Sequence, residues 1–558
     1  MIERLIEWSI RNRFLVGLIT LLLTVLSVYS VRQLAVDAIP DLSEVQVIVK
    51  TEYSGQAPQV VEDQVTYPLA SALMSVPGAK DVRGMSVYGD SFIYVIFDEG
   101  TDPYWARSRV LEYLSQARRF LPSGAEPELG PDASGVGWVY QYALIDRSGQ
   151  HTLADLTTLQ DYTLRYRLQG VEGVSEVATV GGMTKQYQIV IEPNRLRAYS
   201  LSLDEVRSAI RRGNQETGAS VIEMAEAEYM VRARGYLQSR EDIASIVIRT
   251  EAGGVALRLG DVAEIREGPE MRRGVTELNG AGEVVGGIIV MRSGENALST
   301  IERVKAELTQ LEASLPDGVE IVTVYDRSKL IISAIDNLTN KLFEELLVVG
   351  LICALFLWHF RSTLVVMISL PLGVLAALAV ISWQGVNANI MSLGGIAIAI
   401  GAMVDGGIVM TENMHRHLSM DDERTHWQRV RDASVEVGRP LFFSLLIITV
   451  SFVPVFALDG PSGKLFGPLA YTKTYAMALA AALSITLVPV LMGVLMRGKV
   501  NANQHRPIQV RVIKAYEALL GVCLTWPKLT ILLVVALSAS AYYPLQRVGS
   551  EFMPPLNE

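Results

Sequence analysis

The sequence predicts a multidomain membrane protein, in which an α-helical transmembrane bundle of seven spans carries two α+β modules outside the bilayer. Composition is the first observation: 50% of the 558 residues are hydrophobic and 19% are charged, too apolar for a soluble enzyme and too polar for a wholly embedded chain. The second is a set of seven apolar stretches, each of about 20 residues and long enough to cross a bilayer. The third is the soluble composition of residues 32–337, between the first two stretches.

The first apolar stretch, residues 14–31, follows several basic residues, as the core of a secretory signal does. It is long enough to span, however, and no A-x-A-like cleavage site follows it, so an uncleaved first span is favoured. The seven predicted spans lie near residues 14–31, 338–358, 363–383, 390–411, 440–458, 469–495 and 529–546.

Basic residues in the short loops predict the orientation of the spans. The loops after the third and fifth spans, WQGVNAN and ALDGPSGKLFG, hold one lysine between them. The N-terminus is therefore predicted inside, and the long soluble segment and the C-terminus outside. The basic residues of the inner side are Arg4, Arg11, Arg13, Arg361, Arg416, Arg424, Arg429, Arg431, Arg439, Arg497, Lys499, Arg506, Arg511, Lys514 and Lys528.

The outer segment contains an internal repeat. SVPGAKDV at 75–82 matches GVEGVSEV at 170–177, which aligns Gly78 with Gly173, and the strand-like residues 94–96 align with 189–191 at the same offset. Helical patterns cover 56–75 and 154–168, and strand patterns cover VQVIVKTEY, SFIYVIF, YQIVIE and GGIIVM. Two ferredoxin-like modules of βαβ type are the economical interpretation.

These patterns divide the chain into eight parts. The predicted organisation is 1–35 for an N-terminal cytoplasmic helix and the first span, 36–135 for the first outer module, 136–182 with 273–330 for the second, 183–272 for an inserted docking subdomain, 331–500 for spans two to six, 501–528 for a cytoplasmic linker helix, 529–546 for the seventh span and 547–558 for the start of a further outer segment.

Asp405 is the first candidate for chemistry, because it lies within the inner half of the fourth span. An ionised carboxylate at such depth costs about 2.5–3.5 kcal/mol on insertion scales, so it normally has a functional partner. A proton carrier is the functional interpretation, and a structural hydrogen bond to a neighbouring helix is the alternative. No lysine or second carboxylate lies in the core of the other spans, so its charge partner is expected elsewhere. Small residues around it predict a close helix approach, with Asp405 facing the bundle interior: Gly394, Gly395, Gly401, Gly406 and Gly407.

Methionines on the fourth and sixth spans are the second candidate. Their thioethers are soft ligands suited to Cu(I) and Ag(I), whereas methionine in a membrane helix more often fills gaps between side chains. Met403 and Met410 are seven residues apart and hence lie on one helix face. The candidates are Met391, Met403, Met410, Met477 and Met492.

The remaining motifs are weaker. His415, His417 and His426 fall in a charged inner loop, where they could collect metal or simply form a solvated face. No Walker A, HExxH or CxxC motif occurs, so ATP hydrolysis and a thiolate site are unsupported, and no catalytic group set indicates an enzyme. The net charge of −10, without a basic stripe, argues against nucleic acid as a partner.

Several long strings resemble the heavy-metal branch of the RND efflux pumps. Among them are VDAIPDLSEVQVIVKTEYSGQAPQVVEDQVTYPL, GTDPYWARSRVLEYL, GPEMRRGVTELNGAGEVVGG and SLGGIAIAIGAMVDGGIVMTEN, which together run through most of the chain. The resemblance implies a homotrimer in the Gram-negative inner membrane that works with a periplasmic adaptor and an outer-membrane channel. It also implies exchange of protons for metal ions, which are substrate and not a resident cofactor.

The resemblance extends to individual residues. Zinc, cobalt and nickel pumps carry an extra aspartate where this chain has Ala399, while the shared aspartate is Asp405 and the shared glutamate is Glu412. This pattern resembles the Cu(I)/Ag(I) branch and implies that Asp405 belongs to the proton relay. By the same resemblance, the five methionines match positions proposed as a stepwise path for soft cations.

One departure from the family pattern concerns the chain end. The main periplasmic metal site and the lysine thought to answer the aspartate lie past Glu558, so the chain is expected to be an N-terminal half, truncated or with a separately encoded second half. Two alternatives remain open. An RND exporter of organic compounds would need an aromatic-lined outer pocket, although only 7% of residues are aromatic, and a non-transporting fragment or assembly module would merely dock partners.

Overall fold

The chain folds into a helical bundle, two α/β modules and an insertion in the second module, each with its own apolar core. The computed structural model describes residues 2–37, 39–250, 253–272, 274–357, 360–420, 423–497 and 507–547. The predicted start of a further outer segment at 547–558 therefore lies, apart from its first residue, outside the described residues, and so do residues 501–506 of the predicted linker.

The bundle is built from long helices whose apolar runs were visible in the sequence. The helices of the bundle are α1 (Ile2–Arg11), α2 (Arg13–Gln33), α13 (Arg327–Leu357), α14 (Phe360–Trp383), α15 (Ile390–Leu418), α16 (His426–Val450) with a 3-10 turn (Val453–Ala457), α17 (Gly460–Leu495), α18 (Pro507–Thr525), α19 (Pro527–Ser540) and α20 (Tyr542–Leu545). The apolar core lies between α14, α15, α16 and α17, and α1 and α13 pack against it.

The predicted count of seven spans is not confirmed. Six helices among the described residues are long and apolar enough to cross a membrane. The predicted second span falls on α13, whose last 18 residues still contain Lys341, Glu344 and Glu345. The predicted seventh span falls on α19 and α20, which together form one of the six candidates. No residue of α19 is buried.

The first outer module is a four-stranded antiparallel sheet in the order β2-β3-β1-β4, which is the strand order of a ferredoxin-like unit. Val47, Val49, Ile93 and Val95 are buried on the face that α4 and α5 cover. Its elements are β1 (Gln46–Glu52), α3 (Pro58–Val61), a π-helical turn (Glu62–Thr66), α4 (Tyr67–Leu73), β2 (Ala79–Val87), β3 (Asp90–Phe97), α5 (Pro103–Ala117), a 3-10 turn (Arg118–Phe120) and β4 (Glu126–Leu129).

The second outer module repeats this architecture, with an antiparallel sheet in the equivalent order β14-β5-β13-β6. Gly78 and Gly173, aligned by the sequence repeat, both precede the second strand of their module and have φ angles of +78° and +90°. Its elements are β5 (Trp138–Asp146), α6 (Leu153–Leu159), a π-helical turn (Gln160–Leu164), α7 (Arg165–Gln169), β6 (Val174–Gly181), β13 (Val285–Met291), α12 (Ala297–Glu312) and β14 (Val319–Asp326).

A small insertion separates β6 from β13, and it shows that one predicted repeat equivalence is wrong. Residues 189–191 lie in β7, which pairs with β12 and not with the second module's sheet. The strand equivalent to β3 is β13, because the insertion shifts the sequence offset after β6. The exact domain boundaries stay a prediction. The insertion contains β7 (Lys185–Ile191), α8 (Pro193–Ala198), α9 (Leu203–Gly213), β8 (Thr217–Met224), β9 (Ala227–Ala233), α10 (Arg240–Ala244), β10 (Val247–Thr250), β11 (Ala256–Arg258), α11 (Leu259–Val262) and β12 (Ala263–Pro269).

The outer end of the bundle is joined to the modules through backbone and side-chain contacts. Val36 forms a parallel bridge with Ala388, just before α15, and the Ala388 amide donates to the Ala35 carbonyl at 2.9 Å. Arg327, at the start of α13, lies 3.7 Å from the Asp37 carboxylate and donates to the Val136 carbonyl at 2.6 Å. The segment after α2 is therefore tied both to α13 and to the loop that starts α15.

Candidate functional site

Asp405 lies on the exposed side of α15 in this chain. Ile398, Gly401, Val409 and Glu412 share that side, as their spacing of three or four residues requires. Among the described residues, the Asp405 carboxylate has neither an ion pair nor a hydrogen bond. The prediction that Asp405 faces the interior of this bundle is therefore wrong for the helices described. We call this side of α15 the open face.

The glycines of α15 explain why that prediction failed, because they lie on both sides of the helix. A Cβ atom on Gly395 would approach the Leu469 carbonyl oxygen of α17 to 2.6 Å, and one on Gly407 would approach Val366 of α14 to 3.2 Å. In contrast, a Cβ on Gly394 or Gly401 would meet no atom within 4 Å. Glycine content alone could therefore not indicate which side of α15 is packed.

Four of the five predicted methionines lie in the apolar core. Met403 is 7% exposed, and Met410, Met477 and Met492 are fully buried. Met403 borders a narrow cleft between α14, α15 and α17, and its methyl group occupies the space above Gly373. Met391, at the outer start of α15, is only half-buried. We call the side of α15 that carries Met403 and Met410 the packed face.

The methionines form a column, and they are not gathered in one cluster. α15 and α17 run in parallel, since Gly395 contacts Leu469 and Gly406 lies against Ser484. This register places Met403 within about one turn of Met477, at about 1.5 Å of rise per residue. Met391 lies about 18 Å further out along α15. Among the described residues, no group of three His, Cys, Asp or Glu side chains could hold a metal ion.

Comparison with known proteins identifies the family. The profile of the AcrB/AcrD/AcrF family matches residues 5–558. The chain belongs to this family, the RND transporters. It is 58% identical over 568 residues to the cation efflux system protein CusA of Escherichia coli K12, and 57% identical to a cation efflux system protein, SilA, of Salmonella typhimurium. A cobalt-zinc-cadmium resistance protein, CzcA, of Cupriavidus metallidurans is 36% identical over 580 residues.

The fold agrees with this assignment. A crystal structure of a heavy metal efflux pump superposes with a TM-score of 0.85, at 29% identity, over 99% of this chain and 53% of that chain. The alignment with CusA likewise covers 100% of this chain and 54% of the relative. This RND chain thus spans about half the length of the curated relatives it matches.

The histidines of this RND chain do not form a common site, and they are not a solvated face. The Nε2 atoms of His415, His417 and His426 lie 2.6 Å from Ser362 Oγ on α14, 2.7 Å from Glu436 Oε2 on α16 and 2.9 Å from the Gly493 carbonyl on α17. Each histidine therefore binds a different helix at the end opposite the outer modules. His417 is only 6% exposed.

Three buried residues of the RND bundle were missed by sequence reasoning. Met414 and Met496 are fully buried in the same core as Met410 and Met492. Lys473 of α17 is 7% exposed, although no lysine was expected in the core of the spans. Met414 could have been predicted, because it lies one helical turn from Met410 on the same face of α15. The burial of Lys473 could not, because it depends on how α16 ends beside it.

Proposed function

We propose that this chain is a subunit of an inner-membrane pump that exports soft monovalent cations, Cu(I) or Ag(I), in exchange for protons. The column of buried methionines along α15 and α17 carries the proposal. Thioether sulfur is a soft, uncharged ligand that binds Cu(I) and Ag(I) and binds hard cations poorly. A spaced series of such ligands lets a cation bind weakly at each step and move on.

The choice of monovalent cations is supported by Ala399. This residue is fully buried in the bundle core, so an aspartate there would add a carboxylate inside the packed helices. Because alanine and not aspartate stands at position 399, this part of the methionine column has no fixed negative charge, which favours singly charged ions. The higher identity to CusA and SilA, compared with the cobalt-zinc-cadmium resistance protein, points the same way.

Asp405 is proposed as the proton-accepting group. A carboxylate on a membrane helix is costly and is normally functional. Because Gly401 lies one turn away on the open face and meets no atom within 4 Å, another helix can approach closely there. We assign the charge partner of Asp405 to such a helix, in the part of the relatives that this chain does not span.

The assembly follows from family resemblance and is likewise proposed. The pump would be a homotrimer in the inner membrane, with the N-terminus cytoplasmic and the two α/β modules in the periplasm as porter modules. It would work with a periplasmic membrane-fusion adaptor and an outer-membrane channel.

Transport by everted inner-membrane vesicles from cells that express the protein tests the proposal. An imposed pH gradient should drive Ag(I) movement, and Ag(I) should in turn dissipate the gradient. Asp405→Asn should abolish both while leaving the amount of inserted protein unchanged. Asp459→Asn, which changes an exposed carboxylate just before α17, is the matched control.

Two outcomes would contradict the proposal. Movement of ethidium with no movement of Ag(I) would instead indicate an exporter of organic compounds. If neither substrate moves in vesicles that contain correctly inserted protein, the interpretation as a fragment or an assembly module is favoured.

A further inference from the structure

Lys473 is a buried cation inside the bundle that the proposed transport mechanism does not use. α17 has two charged residues, Lys464 and Lys473. Lys464 lies outside the core, where it donates to the Ser43 carbonyl at 2.7 Å and approaches Glu99 at 3.9 Å. Lys473 is 7% exposed and has no carboxylate partner within the described part of the chain. A buried ammonium group in a membrane helix is expensive and indicates a function.

Two neighbours of Lys473 favour its positive charge and so act against the cost of burial. The Nζ atom lies 3.0 Å from the centroid of the Phe452 ring, so the negative face of the ring contacts the ammonium group. α16 ends at Val450, two residues before Phe452, and the end of a helix carries partial negative charge on its unpaired carbonyls. Both interactions offset the cost of burial without neutralising the charge with a carboxylate.

Lys473 lies beside the methionine column. It is one helical turn from Met477 on the same side of α17, and both residues are buried. Gly395 of α15 contacts Thr472, the neighbour of Lys473. Lys473 therefore lies on α17 at a level between Met391 and Met403 of α15, one turn from Met477.

We propose that Lys473 determines the charge selectivity of the methionine column by repelling cations held at Met403 and Met477. This inference rests on the proposed function, since it takes the methionines as cation ligands. Coulomb repulsion from a fixed ammonium group scales with the charge of the ion, so a divalent cation pays twice the free energy that a monovalent cation pays. Lys473 thus selects Ag(I) and Cu(I) over soft divalent ions such as Cd²⁺, and it keeps the bound cation weakly held and ready to leave.

Ion binding to the detergent-solubilised 558-residue chain tests the inference. The background variant is Cys353→Ala/Cys523→Ala, because free thiols would bind both ions. Methyl-¹³C methionine NMR reports which thioethers respond to added Ag(I) or Cd²⁺. In Lys473→Leu, Ag(I) affinity at Met477 should rise on the order of tenfold or more, and Cd²⁺ affinity by about the square of that factor.

Three variants separate charge from packing. Lys473→Arg keeps the charge and should bind both ions as the background does. Lys464→Leu makes the same change in net charge at the outer end of α17 and should alter neither affinity. The double variant Lys473→Leu/Met477→Leu should not show the rise in ion affinity, and this result would locate the rise at the Met477 thioether. If Lys473→Leu lowers the yield of folded protein, Lys473→Gln supplies the same comparison.

Two results would overturn the inference. Affinities in Lys473→Leu that stay within twofold of the background would show that the ammonium group does not act on the ion. Equal gains for Ag(I) and Cd²⁺ would show a packing effect and not a charge effect. Failure of the proposed function looks different, because the methionine methyl signals of the background protein would then not respond to Ag(I) at all.

Discussion

The two faces of α15 differ in almost every physical respect. The packed face contacts α14, α16 and α17 through glycines and buried methionines, and atoms of the neighbouring helices leave little free space there. The open face presents Asp405 and Glu412 beside a glycine that meets no atom within 4 Å. One helix thus holds candidate metal ligands in an apolar core and a candidate proton acceptor on its exposed side. In the proposed mechanism, the proton and the metal cation therefore use opposite sides of the same helix.

The largest expected effect comes from filling the packed face. Gly395→Leu would force a side chain against the Leu469 carbonyl, which already lies 2.6 Å from the position of a Cβ atom. We expect it to lower the free energy of unfolding in detergent by about 3 kcal/mol. Thermal unfolding of the purified chain measures this. A stability equal to that of the wild type would show that α15 and α17 are not closely packed.

A smaller effect is expected from cutting the contact between α15 and α16. Glu436 accepts hydrogen bonds from His417 at 2.7 Å and from Asn413 at 3.3 Å, and both donors are buried. Glu436→Ala should cost about 1–2 kcal/mol, since it leaves the buried His417 Nε2 atom without its partner, whereas Asn413 keeps its hydrogen bond to the Ala433 carbonyl at 2.8 Å. Glu412→Ala, on the open face, is the control and should leave the melting temperature unchanged. Equal melting temperatures for both variants would contradict the distinction between the two faces.

Met403→Leu separates packing from ligand chemistry on the packed face. Leucine conserves the volume of methionine, so the loss of stability should stay under about 1.5 kcal/mol. Ag(I) binding should nevertheless weaken, because the thioether is lost. Parallel melting curves and Ag(I) titrations provide both quantities. Unchanged Ag(I) binding would remove Met403 from the proposed path.

The smallest expected effect has the opposite sign. Gly401→Ala adds a methyl group to the open face, where no atom lies within 4 Å, and alanine favours helix over glycine by about 1 kcal/mol. The isolated chain should therefore become slightly more stable to heat. Destabilisation of the isolated chain would mean that Gly401 is already in a packed contact and does not belong to the open face.

Sequence patterns predicted those features that depend on local composition. Apolar runs located the helices of the bundle, because a span must be apolar along its whole length. Alternation of apolar residues located β1, β3, β7 and β13, because a strand with one buried face has a period of two residues. The repeat alignment nevertheless assigned β7 to the wrong sheet, because its partner β12 is more than 70 residues away across the insertion. Pairing between distant strands leaves no trace in the local pattern.

The candidate site was predicted in its residue types and not in its geometry. Met403, Met410, Met477 and Met492 are buried in the bundle core, and their role as metal ligands stays a prediction. The direction of Asp405 could not be derived, because an apolar helix with glycines on both sides has no marked inner stripe. The burial of Lys473 was not predicted, because a lysine only four residues inside the predicted span 469–495 is expected to extend toward the membrane surface, whereas the structure buries it against the Phe452 ring.

The bridge between Val36 and Ala388 sets how tolerant the junction above α15 is to mutation. Its hydrogen bonds join main-chain atoms, with the Asp37 amide donating to the Ala388 carbonyl and the Ala388 amide donating to the Ala35 carbonyl. These hydrogen bonds do not themselves depend on side chains, although the Asp37 carboxylate also lies 3.7 Å from Arg327 and Ala388 is buried. Proline is the exception, because it has no amide hydrogen to donate. A genetic screen for changes that uncouple α15 from the segment after α2 should accordingly return proline at position 37 or 388 ahead of other substitutions there.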